Sequence, residues 1–101
     1  MNIRVPSEEI KRLCTKWNIK DLSVFGSVLR EDFSDQSDID ILLTFDDDAS
    51  YGFFELSEIQ EEFVLLFKRK VDVVTRNGVE SSRNNLRKKA ILNSARTLYA
   101  S

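Results

Sequence analysis

Apolar residues recur at three- and four-residue spacing at Ile10, Leu13, Cys14 and Trp17, behind a Ser7-Glu8-Glu9 start. A capping hydroxyl followed by acids in the first turn predicts a helix over residues 7–17. DLSVF (21–25) reads as a short strand that Gly26 breaks. SVLRED then suits a short helix, and FSDQS (33–37) has loop composition. In DIDILLTF (38–45) the side chains alternate: Ile39, Ile41, Leu43 and Phe45 fall on one face of a strand, and Asp38, Asp40 and Leu42 on the other. DDDAS (46–50) marks the strand exit. A helix over 52–68 follows, with Phe53, Leu56, Ile59, Phe63, Leu66 and Phe67 on or near one stripe and Tyr51 and Phe54 outside it. KVDVVT (70–75) is a third strand, and Asn77-Gly78 signals a turn. Residues 81–100 read as a last helix, with Leu86, Ala90, Ile91, Ala95 and Leu98 inward and Arg83, Arg87, Lys88 and Arg96 outward. The order is α-β-α-β-α-β-α, an α/β domain over residues 1–101 with a small sheet flanked by helices.

The two acids inside the second strand are the anomaly. On one face, two residues apart, they stand about 7 Å from each other. A carboxylate in a core strand is costly unless it is paired or binds a cation. Without a cation the two repel, and one tends to protonate. Asp72 repeats the pattern between Val71 and Val73. If the second and third strands are neighbours, all three acids face one space. Three carboxylates around a pair of divalent ions suit in-line phosphoryl or nucleotidyl transfer. Oxygen ligands alone favour Mg²⁺ or Mn²⁺ over zinc.

Gly26-Ser27 adds a phosphate cradle. Glycine lets the backbone approach a ligand closely, and a following helix start presents free N–H groups to an anion. Ser27 adds a hydroxyl donor, and Arg30 can reach a phosphate or brace an acid. The run Asp46-Asp47-Asp48 lacks the spacing of a calcium loop and reads as a solvated turn.

Composition narrows the chemistry. Histidine is absent, which removes Ser-His-Asp and Cys-His catalysis and histidine metal sites. The net charge of −2 gives no global attraction to nucleic acid or membrane. No apolar run approaches the ~20 residues that span a bilayer, and the first residues lack the apolar stretch of a secretory signal. The single cysteine, Cys14, falls on the apolar face of the first helix and suits packing in a reducing, cytoplasmic setting.

Gly-Ser, ten residues, then Asp-x-Asp, with a later Asp on a strand, resembles the signature of the DNA polymerase β-like nucleotidyltransferase superfamily. GSVLREDFSDQSDIDILLTF in a chain of this length looks like its minimal nucleotidyltransferase (MNT) family. The likeness covers about residues 8–99, and Arg30 and Ser37-Asp38 match as well. It implies a mixed sheet with flanking helices. It implies the antitoxin half of a type VII HEPN/MNT toxin–antitoxin pair, an adenylyltransferase that moves AMP from ATP to a tyrosine of a HEPN ribonuclease. By the same likeness Gly26 and Ser27 would hold the triphosphate, with Arg30 in support. Asp38 and Asp40 would ligate two Mg²⁺ ions, and Asp72 the ion nearer the attacking hydroxyl. A hetero-oligomer with the toxin is implied, with no direct nucleic-acid partner. Two alternatives stay open: an antitoxin that only masks its toxin, and a small-molecule nucleotidyltransferase.

Overall fold

A computed structural model describes residues 6–26, 38–46 and 51–100. Eight elements follow in order: α1 (Ser7–Lys16), β1 (Ile19–Phe25), β2 (Ile39–Phe45), α2 (Phe53–Phe67), β3 (Val71–Thr75), α3 (Arg76–Glu80), α4 (Asn85–Ser94) and β4 (Arg96–Ala100). The strands make one mixed sheet in the order β3-β2-β1-β4. β1 pairs antiparallel with β2 and with β4, while β2 and β3 run parallel. The parallel pair needs a crossover, and α2 supplies it. Among the described residues no helix is long and apolar enough to cross a membrane.

Alternation in β2 divides the core as the sequence predicts. Ile39, Ile41 and Leu43 face α1 and α2 and pack with Ile10, Cys14, Ile59 and Phe63. Leu42 faces the other way and joins Phe25, Val79 and Ile91, so α3 and α4 cover that second face. Two ties lock the first layer. The Glu62 carboxylate accepts hydrogen bonds from Lys16 and Trp17. The Tyr51 hydroxyl donates to the Trp17 carbonyl at 2.8 Å, and its ring meets Trp17 and Phe45 edge-on.

Several expectations are corrected. The last segment is not one helix: α4 ends at Ser94, Ala95 turns extended, and Arg96–Ala100 pairs with β1. The edge of β1 offers backbone partners that a continued helix would leave unmet. Leu86 and Ala90 point to solvent, and Ile91 alone in α4 is buried. Asn77 and Gly78 lie inside α3, because the Thr75 side chain caps its start by accepting from the Gly78 N–H at 3.0 Å. Ser7 is the first helical residue of α1 and not its cap; Pro6 stands there, without a side-chain bond. Phe53 and Phe54, at the start of α2, are about four-fifths exposed at 79% and 81%, while Tyr51 is half-buried. β1 begins two residues earlier than read, at Ile19. The predicted SVLRED helix and the 33–37 loop lie outside the described residues.

Candidate active site

Strand register brings two of the acids together. In the parallel β2–β3 pair Asp40 is the partner of Asp72, so their side chains leave the same face of adjacent strands. Asp38, two residues before Asp40, stands just ahead of β2 on the same alternation. That face is the one carrying Phe25, Leu42 and Val74. The acids occupy its β2/β3 N-terminal end, where α3 and α4 leave Asp72 exposed and Asp38 and Asp40 partly open.

Gly26 completes this end from β1. Phe25 is the register partner of Asp40, which brings the following residue against the Asp40 side chain. Gly26 holds φ at +76°, a conformation L side chains avoid. A Cβ there would stand 2.4 Å from Asp40 Oδ2. The strand end thus requires glycine twice, once for its φ and once to leave the carboxylate its space.

Asp38 has an ion pair the sequence did not suggest: its Oδ2 lies 3.8 Å from Lys70 Nζ. Parallel pairing of Ile39 with Val71 sets Lys70 beside Asp38, and the Ile39 N–H donates to the Lys70 carbonyl at 3.0 Å. Both side chains are open to water, so the pair itself contributes little stability. At the far end of the same face, Arg76 Nε donates to Thr44 Oγ1 at 2.8 Å and ties α3 to β2. Ser27 and Arg30 lie outside the described residues.

Among the described residues no group of three or more carboxylate or thiol side chains is arranged to enclose an ion by itself. The expected three-acid cluster of Asp38, Asp40 and Asp72 is therefore not assembled, and an ion here would draw on fewer protein ligands. Mg²⁺ commonly binds through one or two carboxylates plus substrate phosphates, not in an all-protein cage. The register-paired Asp40 and Asp72, with their hard oxygen donors and the Gly26 backbone set against the Asp40 carboxylate, fit that mode.

A family model described as a nucleotidyltransferase domain matches residues 7–98. The chain belongs to that family. It is 34% identical over 95 residues to "Putative protein adenylyltransferase MJ0435" of Methanocaldococcus jannaschii, covering 94% of this chain and 96% of that protein. It is 30% identical over 71 residues to protein adenylyltransferase MntA of Thermococcus cleftensis, covering 70% of each. Among solved structures, a toxin–antitoxin with AMP-PNP superposes with a TM-score of 0.72 at 17% identity, over 96% of this chain and 75% of that one. A tri-AMPylated Shewanella oneidensis HEPN toxin in complex with MNT antitoxin gives 0.63 at 18% identity, over 94% and 70%. The mixed sheet with flanking helices is therefore the nucleotidyltransferase fold, and the chain is a nucleotidyltransferase.

Proposed function

We propose that this nucleotidyltransferase is the antitoxin of a type VII HEPN/MNT pair and adenylylates a tyrosine of its HEPN ribonuclease partner, using ATP and two Mg²⁺ ions. One observation carries the reading: Asp40 and Asp72 are register partners on one sheet face, with Gly26 backed against the Asp40 carboxylate. The names of the relatives and of the superposed complexes support a protein acceptor and a HEPN partner.

Asp38, Asp40 and Asp72 would hold the ions, which when bound neutralise charge developing on the phosphate oxygens. Gly26 and Ser27 seat the triphosphate, with Arg30 as support. The reaction forms a bond from the tyrosine oxygen to the α-phosphorus. The bond from that phosphorus to the bridging oxygen breaks, and pyrophosphate departs with the electron pair. Asp72 accepts the phenolic proton. Held geometry lets an otherwise bimolecular attack proceed as a unimolecular one.

The test is the intact mass of the HEPN partner after incubation with this protein, ATP and MgCl₂. A gain of AMP mass, lost with Asp40→Asn or Asp72→Asn, is expected. Neutralised toxin of unchanged mass would instead establish masking. Transfer undiminished in both variants would overturn the assignment of the acids.

A further inference from the structure

A cavity of about 260 Å³ opens on the acid-bearing face between β3, α3 and α4. Val74, Val79 and Ile91 form its apolar floor, and Ser82, Arg87 and Lys88 its polar rim. We infer that this cavity is the acceptor subsite, taking the phenol ring of the residue that receives AMP. The inference rests on the adenylyltransferase reading above and adds to it where the acceptor sits.

Position is the first argument. Across the sheet the order runs from Gly26 at the end of β1, through Asp40 on β2, to Asp72 on β3. Val74, the next same-face residue of β3 after Asp72, begins the cavity floor. In-line displacement requires attacker and leaving group on opposite sides of the phosphorus. With the triphosphate seated at Gly26, the attacker approaches from the β3 side, where the cavity lies.

Size and chemistry agree. Sites for drug-sized ligands occupy roughly 300–1,000 Å³, so this one holds a ring and not a whole nucleotide. Val79 and Ile91 are nearly fully buried and offer an aromatic ring a dry surface. Lys88 Nζ donates to the Glu80 carbonyl at 3.0 Å, which holds that cation at the rim, while Arg87 is exposed. Two cations beside an apolar floor select a tyrosine flanked by acidic residues.

The test follows side-chain methyl signals by NMR as the whole protein is titrated with a blocked Glu-Tyr-Glu peptide, and separately with adenosine. The peptide is expected to shift the methyls of Val74, Val79 and Ile91. Ser82→Trp fills the cavity and should weaken peptide binding roughly tenfold, with MgATP affinity held within about twofold. Arg87→Glu, at an exposed position, should weaken the peptide roughly threefold even if the tryptophan variant fails to fold. A peptide that leaves these methyls unmoved while MgATP still binds overturns the subsite alone, as does adenosine moving them in its place. Failure of MgATP to bind the wild-type protein overturns the adenylyltransferase reading and the subsite with it.

Discussion

Replacing Gly26 with alanine isolates the contact on which the site depends. The new Cβ would lie 2.4 Å from Asp40 Oδ2, closer than any relaxed contact, and the backbone would keep φ near +76°. A non-glycine residue in that region costs about 1–2 kcal/mol. Turning the Asp40 carboxyl off its rotamer adds about 0.5–1.5 kcal/mol. For a domain of this size each kcal/mol moves Tm by about 4–8 °C, so Gly26→Ala should lower Tm by roughly 10–20 °C. Adenylyl transfer at a temperature where the variant stays folded should fall at least about a hundredfold, since a displaced carboxylate loses its aim. Asp40→Ala alone removes the obstructing oxygen. In a double-mutant cycle followed by thermal unfolding, the Gly26→Ala penalty should therefore shrink by about 0.5–1.5 kcal/mol in the Asp40→Ala background. An alanine variant with unchanged Tm and unchanged transfer would refute the reasoning, and so would a penalty indifferent to residue 40.

Three further outcomes test other layers. Phe63→Ala should cost about 3–5 kcal/mol in urea unfolding, because that ring is fully buried between α2 and the sheet. Burial raises the Glu62 carboxyl pKa, but hydrogen bonds from Lys16 and Trp17 and the Lys16 charge outweigh it and leave the value below the ordinary 4.5. Its contribution is therefore present above that value and lost as pH falls through the lower folded one, so Glu62→Gln should flatten the acid limb of a stability–pH curve. Cys14 is wholly buried and its thiol is pushed up to about 12, so DTNB at pH 8 should label it only after unfolding.

Much of this was legible in the chain. Alternation placed Asp38, Asp40 and Leu42 opposite Ile39, Ile41 and Leu43, and both faces hold in the sheet. Period-two patterning is local and needs no knowledge of neighbours. What stayed hidden depends on partners distant in sequence. Nothing between Ser94 and Arg96 breaks a helix by composition; the open edge of β1 makes RTLYA a strand. The Lys70–Asp38 pair appears only once the register of β2 with β3 is known. Phe53 matches the helical stripe, yet α2 buries Ile59 and Phe63 further along. The α3–α4 cavity needed the Thr75 cap that starts α3.

The central claim is met most directly by Mn²⁺, a paramagnetic stand-in for magnesium, titrated into the protein with ATP while backbone amide signals are followed. Broadening that begins at Gly26, Asp40 and Asp72, and spares α1 on the opposite face, is the predicted result. Broadening centred elsewhere, with those three amides sharp, would contradict it.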